Sequence, residues 1–447
     1  MAALAAASSS LCRAGTAMRF RIVLLIILWV HLGDLGSAWL YGDGAWPGVG
    51  LLRNLRDGVV VVLAACCLLS TRLPSRLLLP LVAYSALALC YLLVNRASMT
   101  PSILLGSYGT LMIPVLFFLL GFYCVRHPEQ LRSCVALLVL LGIASTLFGA
   151  WEQEHTTFWT ETLGYPRYMR DIKGMALGAN WESGLPWNFY GGVDLQRRAA
   201  GLLASPLAQG MFLAVVAVAA IAWSERRAGY LSLLLSGLLF VGIWMSGTRG
   251  AMLAGSLALI GYLATGTSLF RYRAIRWLVA AGVCGGIAMI SYGIVQMSIN
   301  FLDGSTIGHW QALQKNLLDL PKVLLLGAGL GAQGAQAAQQ QQTLIGGGEG
   351  AIFSIAFQLG LPAVLLFLWF YLNMALTLWN RYRRHPEPML LAMFWLTLGL
   401  ATTLISSEHL LTVSGTGAFW LLCGATLRST SPTRDPIEPM FNEQHSG

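Results

Sequence analysis

A carboxylate stands where an apolar run begins. Gly346-Gly347-Gly348-Glu349-Gly350 leads straight into Ala351 to Leu378, and an ionisable group at the lip of an apolar helix is costly enough to mark a functional candidate. Such a group can accept a proton or orient a hydroxyl. The triple glycine before it lets backbone come close to a ligand. Glu349 is expected to begin a helix, where the N-terminal dipole alone would favour a carboxylate by under about 1 kcal/mol. Two arginines offer complementary chemistry. Arg198 lies in Arg197-Arg198-Ala199-Ala200-Gly201, and Arg249 in the short turn Ser246-Gly247-Thr248-Arg249-Gly250. A planar, permanently charged guanidinium suits bidentate phosphate contact, with snorkelling to lipid headgroups as the alternative. His309, Trp310 and the pair Glu408-His409 are further polar groups beside apolar runs. Glu408-His409 either joins Glu349 in one cavity or forms a polar turn between the last two helices.

The elements that position these residues follow from composition. Hydrophobic residues make up 56% of the 447 and charged residues only 11%. The apolar residues come in runs of about 20, the length that crosses a ~30 Å hydrocarbon core as helix. Such runs lie near 20–40, 51–70, 77–95, 101–125, 132–151, 201–223, 230–246, 251–270, 276–297, 351–378, 390–406 and 410–427. The chain is therefore expected to be an all-α polytopic membrane protein with about twelve transmembrane helices. Long glycine-containing runs lack the alternation of barrel strands. His31 and Asp34 interrupt the first run, and the second is short if it begins only after Asp57.

Basic residues set the orientation. Arg13, Arg19 and Arg21, Arg72 and Arg76, Arg126 and Arg132, Arg226 and Arg227, Arg271, Arg273 and Arg276, Arg381, Arg383 and Arg384, and Arg428 and Arg434 all fall on one side of the predicted helices. The positive-inside rule makes that side cytoplasmic. Residues 1–19 are then a cytoplasmic lead, with the Ala/Ser-rich part before Met18 expected to be disordered. Residues 20–427 form the transmembrane domain, and 428–447 a cytoplasmic tail. Two long loops, about 152–200 and 298–350, lie outside. Gly36-Ser37-Ala38 offers a signal-peptidase site, but removing the first span leaves eleven crossings and spoils the charge asymmetry.

Several function classes drop out. The net charge of +9 reflects topogenic arginines and anionic lipid rather than nucleic acid. None of the eight cysteines lies in either long loop, so no outer disulfide is available, and no spacing suggests zinc. Gly327-Ala328-Gly329-Leu330-Gly331 has no βαβ context and faces outward, which excludes nucleotide binding. No cofactor is expected.

The two loops differ in kind. The first carries Phe158, Trp159, Tyr165, Tyr168, Trp181, Trp187, Phe189 and Tyr190, a density that points to a structured loop. Its rings suit either stacking on sugars or a membrane interface. The second holds apolar residues at helical spacing from Gly308 to Asp319, ended by Pro321, and predicts an amphipathic helix on the outer surface. The run Gln339 to Gln342 reads as a flexible excursion.

From about Arg198 onward the chain resembles the O-antigen ligase and Wzy-type polymerase superfamily of bacterial inner-membrane glycosyltransferases. The resemblance rests on Arg198-x-x-Gly201 followed by Ser205-Pro206, the Ser-Gly-Thr-Arg249-Gly turn, Trp310 followed by Pro321 and the Gly-x-Gly-x-Gly stretch, and Glu349 followed three helical turns later by Gly360. It implies a GT-C-like fold and a site facing the periplasm, in line with the cytoplasmic termini that the arginines predict. It implies metal-independent transfer from an undecaprenyl-diphosphate-linked oligosaccharide to an acceptor glycan, within the lipid bilayer and without a nucleotide sugar. Arg198 and Arg249 would hold the diphosphate and favour its departure. Glu349 would be the catalytic residue, and His309, Trp310, Glu408, His409 and Arg197 candidate glycan or acceptor contacts. A chain-length regulator is a candidate partner.

Ligases of that family carry histidine about where this chain has Glu349, which favours O-antigen or exopolysaccharide polymerisation over ligation of glycan to lipid A core in lipopolysaccharide biosynthesis. A flippase or transporter of lipid-linked glycans is the reading from another class. Cavity-facing arginines and acids suit transport too, although the chain shows no internal repeat.

Overall fold

The computed structural model describes residues 2–44, 46, 48–68, 73–94, 100–174, 184–191, 196–224, 229–266, 304–334 and 345–430. Each expected apolar run coincides with helix except 276–297, which lies outside the described residues. The first half comprises α1 (Ala2–Gly44), α2 (Val49–Leu68), α3 (Ser75–Val94), α4 (Pro101–Cys124), α5 (Pro128–Glu154) and the short α6 (Tyr165–Asp171). A two-residue hairpin follows, β1 (Tyr190–Gly191) antiparallel to β2 (Gln196–Arg197). The second half comprises α7 (Pro206–Ser224), α8 (Gly229–Met245), α9 (Arg249–Thr265), α10 (Gly304–Asp319), α11 (Ala351–Leu359), α12 (Leu361–Arg384), α13 (Pro388–Ala401) and α14 (Val413–Ser429).

Among the described residues the protein is all-α apart from that hairpin. Among the described residues, six helices are long and apolar enough to cross a membrane: Ala17–Gly42 of α1, α3, α4, α5, Pro206–Trp223 of α7, and α12. Close helix approach is built into the centre of the bundle. A Cβ on Gly121 of α4 would stand 1.9 Å from the Leu421 carbonyl oxygen of α14, and one on Gly424 would stand 2.1 Å from that of Phe118. Without side chains at these two positions the backbones meet, as small residues allow in lipid-embedded bundles. Trp420, buried at that crossing, stacks on Phe370 with centroids 6.1 Å apart.

Two expectations change. Residues 2–17 are not a disordered lead; they continue α1, in keeping with the high helix propensity of their alanines. The run 351–378 is two helices, divided at Gly360, whose φ of +81° cannot continue a helix. There the backbone of the preceding segment intrudes: a Cβ on Gly360 would lie 2.3 Å from the Leu325 carbonyl oxygen. The Leu361 N–H donates to the Leu324 carbonyl at 2.8 Å and Ala328 N–H to that of Phe357 at 2.6 Å, so the Gly-x-Gly-x-Gly stretch seats the helix break. The second run, expected at 51–70, is α2 from Val49 to Leu68 and includes Asp57, which pairs with Arg56 at 2.8 Å.

The elements predicted to lie outside share one end of the bundle. Asp34, near the end of α1, receives Lys173 Nζ at 2.8 Å and the Tyr168 hydroxyl at 3.1 Å. The Tyr91 hydroxyl near the end of α3 donates to the Leu326 carbonyl. At the opposite end, Arg381 donates to the Leu427 carbonyl and Arg428 lies 5.7 Å over Phe122.

The first loop is a small folded body. Trp159, Tyr165, Tyr168 and Phe189 are buried against one another and against Ala38, Val49 and Leu163. These four rings form a core instead of a sugar-stacking or interfacial surface, while Trp187 is 60% exposed and Trp181 lies outside the described residues.

Candidate functional site

The site grows from a buried carboxylate that neither motif nor spacing announces. Glu152, in the last turn of α5, is fully buried and accepts hydrogen bonds from Trp159 Nε1 at 2.5 Å, Arg197 Nη2 at 2.6 Å and the Ala200 N–H at 2.6 Å. This satisfies most of its acceptor capacity, and it fixes residues 197–200 on the end of α5. Arg197, expected as a glycan contact, is committed to this pair and lies 4.7 Å over the Phe189 ring.

Its neighbour Arg198 points the other way. The Arg198 N–H donates to the Phe189 carbonyl at 2.8 Å and the Ala199 N–H to that of Met245 at 2.9 Å, so this strand lies along the end of α8. Arg198 Nε then donates to the Ser246 carbonyl at 2.7 Å and Nη2 to Thr248 Oγ1 at 3.1 Å. Gly247 makes the turn with φ of +60°. Arg249 is the first residue of α9, and its Nη1 donates to Thr306 Oγ1 of α10 at 3.0 Å. The two predicted arginines thus converge on one four-residue turn. A cation at a helix N-terminus opposes the dipole, so helix stability does not account for Arg249.

Thr306 carries the site onward to α10, which presents one polar face inward. His309, Asn316 and Asp319 recur on it with Ala312 between them, and the opposite positions Leu317 and Leu318 are exposed. The inward face holds the glycine strap. Asn316 Oδ1 accepts the Gly347 N–H at 2.8 Å, Asn316 Nδ2 donates to the Glu349 carbonyl at 2.9 Å, and Asp319 Oδ2 accepts the Gly346 N–H at 3.0 Å. Lys322, together with that N–H, holds the Asp319 carboxyl below its ordinary range. A Cβ on Gly347 would lie 2.2 Å from the Ala312 carbonyl oxygen. The triple glycine therefore brings backbone close to α10, where a close approach to ligand was expected.

Glu349 lies two residues ahead of α11, outside the helix it was expected to begin, and Gly350 takes the N-cap position. The first N–H groups of α11 go elsewhere: Ala351 donates to the Ser407 carbonyl at 2.9 Å and Ile352 to that of Leu404 at 3.1 Å. The Glu349 carboxylate instead accepts from His309 Nδ1. Both side chains are partly exposed and line an open cleft of about 220 Å³ with Thr306, Trp310, Leu313, Asn316, Ile405 and Ser406.

Glu408 and His409 sit in the turn between α13 and α14. The Glu408 carboxylate lies 3.0 Å from where a Cβ on Gly334 would be, beside Ser354 Oγ. Burial first, then the charges of Arg198 and His309, hold the His409 imidazole down at about 4. Of the two alternatives for Glu408-His409, the polar turn between the last two helices is the one seen, and neither residue lines the Glu349 cleft. Among the described residues, no group of His, Cys, Asp and Glu has the arrangement of a metal site.

Residue reasoning missed Glu152, Thr306, Asn316 and the His309–Glu349 pairing. Only Asn316 carried a signal, its seven-residue spacing from His309 on an amphipathic helix. Compared with protein-family models the chain matches none, and no curated protein matches it.

Proposed function

We propose that the protein transfers glycan from a polyprenyl-diphosphate donor to an acceptor hydroxyl on the outer face of a bacterial inner membrane, polymerising O-antigen or exopolysaccharide repeat units. One observation carries the reading: Arg198 and Arg249 share the Ser246–Arg249 turn, and Arg249 reaches through Thr306 to the cleft that holds Glu349. The guanidiniums would lie against the diphosphate, whose charge grows as the anomeric C–O bond breaks, and fixed cations favour that developing charge over the ground state. Glu349 stands on the acceptor side, where a carboxylate orients a hydroxyl or receives its proton, directly or through a neighbour.

The resemblance in Arg198-x-x-Gly201, the Thr248-Arg249-Gly250 turn and the Glu349 to Gly360 interval points to the same donor class. Glutamate in place of the ligase histidine favours the polymerase branch. Purified protein supplied with lipid-diphosphate oligosaccharide tests the reading. Longer lipid-linked glycan supports it; product on lipid A core moves the protein to the ligase branch; movement of donor across a vesicle membrane without a new glycosidic bond makes it a transporter.

A further inference from the structure

Resting on that transferase reading, we propose that His309 Nε2 takes the proton of the acceptor hydroxyl and that Glu349 is the residue that positions the imidazole. The Glu349 carboxylate accepts from Nδ1 of His309. In a neutral imidazole one ring nitrogen holds the proton and the other the lone pair, so a carboxylate on Nδ1 fixes the tautomer whose basic atom is Nε2. The same carboxylate stabilises the imidazolium once it forms, the logic by which an orienting acid supports a histidine base.

The supporting shell has the same direction. Glu349 is held from behind by Asn316, which takes the Gly347 N–H at 2.8 Å and donates to the Glu349 carbonyl at 2.9 Å. His309 projects from the rigid α10 into the cleft with half of its side chain exposed. The group nearer the substrate space is thus the imidazole, and the group on the anchored strap is the carboxylate. A donor on the carboxylate oxygen lowers its basicity, which suits an orienting carboxylate better than a base.

In the step, the hydroxyl O–H bond breaks and its proton passes to Nε2, while the oxygen forms the new bond to the anomeric carbon. The anomeric C–O bond to the diphosphate breaks, and its electron pair leaves with the lipid diphosphate toward Arg198 and Arg249. The imidazolium then returns its proton to water.

The test compares His309→Gln and His309→Ala with Glu349→Gln in purified protein, using a lipid-diphosphate oligosaccharide as donor and acceptor. Both His309 variants should lose turnover by about 100-fold or more, and the fall in rate on the acid side of neutrality should disappear with them. Glu349→Gln should lose about tenfold and keep that acid-side fall, displaced in pH. Full turnover in either His309 variant, or a larger loss in Glu349→Gln than in both His309 variants, overturns the assignment. Both side chains are more than a third exposed, and thermal melts check that the variants fold. Should they not, carbethoxylation of wild-type protein followed by peptide mass analysis decides: inactivation should track modification of His309, and inactivation that leaves His309 unmodified overturns it. Wild-type protein that forms no glycosidic bond overturns the transferase reading and this inference together, whereas active wild type with active His309 variants overturns the inference alone.

Discussion

Arg198 donates from Nε to the carbonyl oxygen of Ser246 at 2.7 Å, which seats its guanidinium over the turn that ends in Arg249. The loop before α7 and the turn between α8 and α9 are therefore one unit, although 48 residues separate the two partners. Two guanidiniums on one turn form the paired fork that the proposed diphosphate contact calls for.

Arg249→Ala should cut turnover by about 100-fold or more, because it removes a cation that reaches the cleft through Thr306. Arg198→Ala should cut turnover as deeply and also lower the thermal midpoint, since it removes the bonds to Ser246 and Thr248. Lysine at either position should rescue poorly, supplying a point charge without the fork. Turnover assays beside thermal melts separate the effects. Near wild-type activity in both alanine variants would return these arginines to lipid headgroups.

Arg197, one residue away, should behave differently. Arg197→Ala and Glu152→Gln each break a buried ion pair and should cost roughly 3–5 kcal/mol, read as loss of folded protein in denaturant titrations. Arg197→Ala protein that stays folded should still bind donor. A stable Arg197→Ala protein that has lost donor binding would restore Arg197 to the site.

The turn between α13 and α14 carries a pH dependence. His409 is held down at about 4, mainly by burial and then by Arg198 and His309. The unfolded chain takes up its proton first as pH falls, so this contribution is complete above about 6.5 and lost between there and the folded value. Stability should fall by on the order of 1–2 kcal/mol over that window. His409→Gln should remove this part of the slope in melts taken at stepped pH, and an unchanged slope would show that the ring is solvated.

Arg170 and Lys322 are both well exposed and sit on the end of the bundle assigned to the outside. Cysteines replacing them, in a cysteine-free background, should react with a membrane-impermeant maleimide in cells whose outer membrane has been made permeable. Labelling only after inner-membrane lysis would reverse the orientation.

The helices were legible because their signal is local: a run such as 101–125 is long, apolar and free of charge, and lipid leaves it one form. Arg198 and Arg249 were legible because each stands in a short motif at a boundary. Their meeting was not, since it depends on Glu152, a residue that reads as the polar end of a helix until three donors are seen around it. The division of 351–378 at Gly360 was hidden for a related reason. A lone glycine is tolerated within an apolar helix, and only the backbone of Leu325 arriving from another segment decides that it breaks one. The pairing of His309 with Glu349 joins positions 40 residues apart through a helix whose spacing announced an inward face but not what that face would hold. The density of aromatic residues announced a structured loop, but not that four of its rings would pack on one another, because rings that can stack on sugars also stack on one another.

On the proposed mechanism a glycosidic bond forms as a lipid diphosphate leaves. Purified protein in nanodiscs, given a radiolabelled lipid-diphosphate repeat unit, should release one lipid diphosphate for each bond formed while the remaining lipid-linked glycan lengthens by whole repeats. The Arg249→Ala protein should do neither. Release of lipid diphosphate without longer glycan, or longer glycan made equally well by Arg249→Ala, would rule this mechanism out.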